Sequence, residues 1–236
     1  MVIDIVEHVK SLDQIEQRTE EWYAVRKNML TASDVAAAIG ENPYQSRNQL
    51  LNRKTETTEA EFTGNFATIH GNKYEDEARL LFGKLYNLDT WEVGLFRHNE
   101  YKWLGGSPDG IASDGSLIEI KCPIKREIKH EIPKYYYPQV QICMEVLDIE
   151  NCYFIQYKPE NIYQDALLDV MKIPRSKEWF KEMYPKLKGF WDEVLELRKN
   201  PKETIKKTRR KKEEKHRESM FVYNEDDFVE CDTQDI

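Results

Sequence analysis

No stretch of this 236-residue chain is apolar for long enough to span a bilayer, which takes about 20 consecutive apolar residues as a helix. No membrane partner is therefore expected. The opening Met1-Val2-Ile3-Asp4-Ile5-Val6-Glu7 lacks the basic and apolar regions of a signal peptide. The four cysteines form no CxxC pair and no metal-ligand spacing, which argues against a zinc site and a disulfide framework. Cys122, Cys143 and Cys152 sit in apolar surroundings and read as reduced core residues of an intracellular protein. The expected place is the cytoplasm, or the nucleus in a eukaryotic host. An excess of positive charge is also missing, since the net charge is −8. The acidic residues cluster at the two ends, however, and carboxylates that hold a metal add to the total. A locally basic groove can coexist with an acidic whole. No internal repeat is visible.

What is present suits one packed domain. Hydrophobic residues make up 40% and aromatic residues 11%, enough for a core at this length. The domain is expected over residues 1–200. A charged tail, expected to be flexible, follows over 201–236, basic through Lys206–Lys212 and then acidic with no Lys or Arg after residue 217. The basic run reads as a non-specific contact to duplex backbone, a nuclear localisation signal or a solvated helix extension.

The periodicity predicts a helix near Ser11–Ile15 and another over Glu20–Asn28. A third starts after Thr31, with Asp34 three residues on as in a capping box, and a fourth covers Ser46–Lys54. A long helix over 66–86 carries Ala67, Tyr74, Ala78, Leu81, Phe82 and Leu85 on one stripe. Strands are expected at Thr90–Phe96, Trp103–Gly106, Gly110–Ala112, Ser116–Cys122, Tyr153–Tyr157 and Ala166–Ile173, with helices over Pro133–Leu147 and Lys177–Arg198. The fold class is α/β, a central sheet with helices on either side.

The stretch that carries chemistry is Ser107-Pro108-Asp109-Gly110, followed by Ile118-Glu119-Ile120-Lys121-Cys122-Pro123. The Asp114-Gly115 pair between them is a hairpin-turn signal. It folds the segment bearing Asp109 back along the strand bearing Glu119 and Lys121. Side chains alternate along a strand, so Glu119 and Lys121 share one face and Ile118, Ile120 and Cys122 point to the other. Asp109 and Glu119, with the backbone carbonyl of Ile120, suit Mg²⁺, a cation that takes oxygen ligands and keeps several waters; Mn²⁺ is its substitute. Lys121 can orient or deprotonate a water, or stabilise a phosphate electrostatically. The plain alternative is a hairpin with charged residues on its wet face, and the Ser-Pro-Asp-Gly turn favours the site. Glu75, on the long helix, can bring a third carboxylate or lie on a solvated face. Gln139, on the helix after Pro133, can bond a water or a phosphate oxygen or mark a helix boundary. His70 reads as a core or surface histidine.

Arg26, Thr31-Ala32-Ser33, Gly71 with Tyr74-Glu75, Ser107-Pro108-Asp109-Gly110, Glu119-Ile120-Lys121-Cys122-Pro123 and Gln139-Val140-Gln141 occur in one order. Together they resemble the lambda-exonuclease-like (YqaJ) viral recombinase family of the PD-(D/E)xK nuclease superfamily, over about residues 18–158. The resemblance implies a restriction-endonuclease-like core with a central mixed β-sheet. It implies metal-dependent hydrolysis of duplex DNA from a 5′-phosphorylated end, in viral or phage-type recombination or replication. It makes Asp109 and Glu119 metal ligands, Lys121 the catalytic lysine, and Glu75 and Gln139 its helix-borne supports. Arg26, Thr31, Ser33 and Ser107 become contacts to the terminal 5′-phosphate, and Lys125 and Arg126 DNA contacts on the following loop. It further implies double-stranded DNA ends and a single-strand annealing protein as partners, and a homo-oligomer such as a ring-shaped trimer. Two other readings fit the same residues: a structure-specific endonuclease, and a non-catalytic module that binds DNA ends.

Overall fold

The computed structural model describes residues 4–55, 66–162 and 164–200. The charged tail and Ala67's side chain lie outside the described residues, as does all but the first residue of the polar run 55–61, which reads as a loop; that first residue, Thr55, ends α4. Three helices and a two-residue strand come first: α1 (Ile5–Ser11), α2 (Glu20–Lys27), β1 (Leu30–Thr31) and α3 (Ala32–Ala38). Next come α4 (Arg47–Thr55) and the long α5 (Phe66–Tyr86). Five short strands follow: β2 (Thr90–Trp91), β3 (Phe96–Arg97), β4 (Leu104–Gly106), β5 (Gly110–Ala112) and β6 (Leu117–Lys121). The described chain closes with α6 (Tyr137–Leu147), β7 (Asn151–Lys158), β8 (Leu167–Pro174) and α7 (Lys177–Lys199).

The larger sheet has the order β2-β5-β6-β7-β8. Its β5–β6 pair is the expected hairpin, antiparallel with Gly110 opposite Ile118. Gly115 takes the turn at φ +81°, a conformation that favours glycine. The β6–β7 pair is parallel, so α6 serves as its crossover, and the sheet is mixed. A smaller sheet, β1-β4-β3, lies beside it.

The period of two along β6 sorts its side chains as expected. Ile118 and Ile120 pack with Ala78 and Phe82 of α5, and with Ile155 and Tyr157. Leu117 and Phe154 join the larger core with residues from α3, α6 and α7. Cys122 packs partly against the α5-side core. Helix α7 runs through Pro185; its face of Met183, Leu187, Phe190, Trp191, Val194 and Leu197 is buried and outweighs a proline penalty of about 3 kcal/mol.

Three expectations are corrected. The first helix is Ile5–Ser11, capped by Asp4, whose carboxylate accepts from the Val6 N–H. Ile15, expected in it, instead exchanges backbone hydrogen bonds with Leu95. The strand expected over 90–96 is split between the two sheets. Gly94 explains the split: a Cβ there would sit 2.4 Å from the Ile15 carbonyl oxygen, so only glycine lets the N-terminal segment lie against this turn. Leu85, expected on the apolar stripe of α5, is 62% exposed.

Candidate active site

The hairpin delivers two carboxylates and a lysine to one place. Asp109 stands just before β5, where its backbone N–H donates to the Ile118 carbonyl at 3.0 Å. Its Oδ2 accepts from the Ile120 N–H at 2.6 Å, which fixes the carboxylate beside β6. Glu119 is 1% exposed, far from the wet hairpin face that the plain reading requires. Its Oε1 accepts from both Lys121 Nζ and Gln139 Nε2. Gln139 lies in the first turn of α6, where Pro138 pre-sets the helix start. Glu75 arrives from α5 and accepts from Arg18 Nη2 at 2.9 Å.

The electrostatics of this cluster are one-sided. Burial, then the charge of Asp109, pushes Glu119 up to about 8. The same two causes raise Glu75 to about 7. Burial also raises Asp109, against the pull of Lys121. Burial works to lower Lys121, but Glu119 and Asp109 outweigh it, so its pKa lies above the ordinary value. Asp109, Glu119 and Glu75, with Glu92 nearby, thus outnumber Lys121, Arg18 and Arg79 in a poorly solvated site.

One atom tests whether a metal fits. Glu119 Oε2 is buried with no hydrogen-bond partner. An unsatisfied buried polar group costs about 1–3 kcal/mol, and more when charged. A cation held by Glu119 and Asp109 would remove that cost, and oxygen donors are what a hard divalent cation takes. Among the described residues no group of three or more His, Cys, Asp and Glu side chains forms a metal cage. The donors on hand are two carboxylates and the Ile120 carbonyl, a set that leaves positions for water and substrate. His70 packs against Tyr74 with ring centroids 4.7 Å apart, and its buried Nε2 has no partner.

A second cluster, opposite in sign, sits at the start of α3. Arg26 Nη2 donates to Ser33 Oγ at 3.0 Å, and its guanidinium stacks 4.0 Å above the Trp22 ring. The Trp22 indole N–H reaches Ser107 Oγ at 3.3 Å, two residues before Asp109. Arg26, Ser33 and Ser107 are therefore joined to each other and to the hairpin. Thr31 is 1% exposed; it lies 3.2 Å from Ser33 Oγ and donates to Asp34 Oδ2 at 2.7 Å. It shapes the helix start from below and does not face solvent. Beneath it, Asp34 pairs with Lys54 at 2.7 Å and with Arg53 at 2.6 Å. Lys54 also donates to the carbonyls of Arg26 and Met29, each at 2.7 Å. Lys125 and Arg126 stand apart, on the loop after β6: Arg126 donates to the Glu127 carbonyl at 3.2 Å, and Lys125 is exposed.

Gln17, Arg18, Trp22, Arg53 and Lys54 escaped the sequence reading. Gln17 Nε2 bridges the carbonyls of Val93 and Pro108 at 2.7 and 3.0 Å and so holds the turn in front of Asp109. Arg18 adopts φ +67°, rare for a side chain this large, and that bend aims it at Glu75. The only sequence signal was the proximity of Trp22 to Arg26, four residues apart and hence on one helix face.

The comparisons give the family and the fold. An alkaline exonuclease from Laribacter hongkongensis, solved in complex with dAMP, is 27% identical with a TM-score of 0.65, over 80% of this chain and 100% of that one. A phage-related exonuclease from Haemophilus somnus shares the fold at 17% identity and a TM-score of 0.54, over 72% and 94% of the two chains. An uncharacterised protein of Acanthamoeba polyphaga mimivirus is 33% identical over 168 residues, 64% of this chain and 30% of its own length. A protein of African swine fever virus is 28% identical over 160 residues, 55% of this chain and 46% of its own. The chain thus spans less than half the length of these viral relatives. The core is the restriction-endonuclease-like fold of the exonucleases. Residues 21–150, more than half of the chain and the part that holds both clusters apart from Arg18, match the YqaJ-like viral recombinase domain, and the chain belongs to that family.

Proposed function

We propose that the protein is a Mg²⁺-dependent DNA exonuclease that removes nucleotides from the 5′-phosphorylated end of a duplex. The observation that supports this most is the bridge from Arg26 through Trp22 to Ser107. It couples a seat for an anion to a seat for a cation. A nuclease that acts at ends needs both, one for the terminal phosphate and one for the bond to be cut. The Laribacter relative, solved with a bound mononucleotide, fits such a reaction.

Asp109, Glu119 and the Ile120 carbonyl would hold the cation. When bound, it would supply polarisation of a phosphate oxygen and an acidified water. Gln139 and Lys121 clamp Glu119 Oε1 and thereby aim the free Oε2. Lys121, whose pKa two carboxylates hold above the ordinary value in the metal-free site, would stabilise charge on the phosphate. Glu75, held by Arg18, would support the water or the phosphate from α5. Arg26 can donate a fork of hydrogen bonds to a terminal phosphate, with Ser33 and Ser107 beside it.

The test is a linear 5′-phosphorylated duplex against a covalently closed circle of the same sequence, with Mg²⁺. Mononucleotide release from the linear form alone is expected. Cleavage of the circle would favour an endonuclease. Binding of ends without hydrolysis would favour a non-catalytic module.

A further inference from the structure

One aromatic group on the page is used by neither cluster. Tyr44 is 75% exposed, an unusual placement for a large ring with an apolar body. It meets Tyr135 edge-on, with centroids 5.5 Å apart. Tyr135 in turn lies against Tyr136 at 4.4 Å, and the Lys121 ammonium sits 5.2 Å from the Tyr136 ring. The rings thus form a ladder from solvent to the lysine of the hairpin. Asn42 holds the outer end in place, because its side chain accepts from the backbone N–H groups of Tyr44 and Gln45 at 2.8 and 3.1 Å. The exposed ring is therefore carried on an ordered turn.

Each end of the ladder touches one of the two charged seats. At the outer end Gln45, next to Tyr44, accepts from Arg53 at 3.3 Å, and Arg53 pairs with the Asp34 that underlies Arg26 and Ser33. At the inner end lies Lys121. Arg126, on the loop after β6, keeps a buried Nη2 with no hydrogen-bond partner. An open cleft of about 550 Å³ is lined by Glu41, Ile132, Lys134, Tyr137 and Trp179, neighbours in sequence of the ladder's two segments together with one residue of α7. A ligand against the exposed Tyr44 ring has a face to stack on, with Arg53 toward one end of the ladder and Lys121 at the other. Unpaired DNA has that chemistry: a π-face on every base and a negative charge on every link.

We propose that the exposed ring of Tyr44, backed by Tyr135 and Tyr136, which packs on the core, is a stacking platform for unpaired nucleobases of the strand that enters the Asp109–Glu119 site. The proposal rests on the nuclease reading above. It goes further by assigning a subsite for bases, which neither charged seat provides. Stacking requires no particular base, so the platform is indifferent to sequence. It also gives Arg126 a use, as a donor to the linking phosphates, that a contact to the terminal phosphate does not.

The test is binding of a 3′-labelled, 5′-phosphorylated single-stranded oligonucleotide, followed by anisotropy in EDTA. A second oligonucleotide carries abasic sites at its first positions. Tyr44→Ala should weaken binding of the first by about fivefold or more, the range of one lost base stack, and leave binding of the second unchanged. Tyr44→Phe, which keeps the ring, should match wild type on both, and the melting temperature of both variants should stay at the wild-type value. Equal affinity of Tyr44→Ala and wild type for the intact oligonucleotide would overturn the platform. So would an equal loss on both oligonucleotides. Wild-type protein that binds neither oligonucleotide and hydrolyses no duplex with Mg²⁺ would overturn the nuclease reading instead, which keeps the two failures apart.

Discussion

The hairpin cluster and the α3 cluster are built from the same kinds of residue with opposite balance. Around Asp109, the carboxylates of Glu119, Glu75 and nearby Glu92 meet Lys121, Arg18 and Arg79, and the carboxyl groups of Glu119 and Glu75 rise to about 8 and about 7. Around Asp34, one carboxylate meets Lys54, Arg53 and Arg26. Burial alone would raise Asp34, but the three cations hold it well below the usual carboxylate range. Arg26 is lowered instead, chiefly by burial. The first cluster lacks positive charge and leaves an acceptor atom unfilled; the second lacks negative charge. Structural ion pairs tend toward balance. In the proposed reading each imbalance would be met by a ligand, a cation in one and an anion in the other. Trp22 and Ser107 set the two side by side.

The contrast can be broken from either side. The largest effect is expected at the hairpin: Asp109→Ala should lower hydrolysis by about 10³-fold or more with little change in melting temperature. The α3 cluster should show the reverse for its carboxylate. Asp34→Ala leaves Lys54 buried and uncompensated, so it should cost about 3–5 kcal/mol in urea unfolding. Glu119→Gln, in metal-free protein, should leave stability unchanged or higher. Arg26→Ala removes a charged donor worth about 1.5–3 kcal/mol. It should therefore cut the preference for a 5′-phosphate over a 5′-hydroxyl end by about 10- to 100-fold, read as a ratio of initial rates.

The smallest effect, and the sharpest contrast, is in pH. Asp34 has a depressed folded pKa, so its contribution is full above the unfolded value of about 3.9 and is lost as pH falls below it. Glu119 has a raised one in the absence of metal, so its contribution is full below about pH 4 and is lost as pH rises toward 8. Metal-free protein should lose stability between about pH 5 and 8, and Glu119→Gln should flatten that slope. Thermal melts in EDTA across this range read it directly.

The two regions also differ in how far the sequence disclosed them. The hairpin was legible because it is local. A turn signal and a period of two place Asp109, Glu119 and Lys121 within a few residues of one another, and the parallel strand β7 does not alter that. Gln139 was legible from its polarity in an apolar helix start. The supports of the α3 cluster were not, since they come from afar. Arg53 and Lys54 reach back 19 and 25 residues to Asp34 and Met29, and Arg18 crosses 57 residues to Glu75. No periodicity encodes such pairings; packing of α4 and of the N-terminal segment creates them. The burial of Glu119 was missed for a similar reason. A strand pattern shows which side chains share a face, and only the arrival of α6 shows that the face is covered.

The central claim is that the two seats act on one strand, a cation at the bond to be cut and an arginine at the terminal phosphate. The most direct measurement is the initial rate of mononucleotide release from matched linear duplexes with 5′-phosphate or 5′-hydroxyl ends, in Mg²⁺ and in EDTA. The account predicts release in Mg²⁺ alone, at least about tenfold faster from the phosphorylated end. Equal rates from both ends, or release that persists in EDTA, would contradict it.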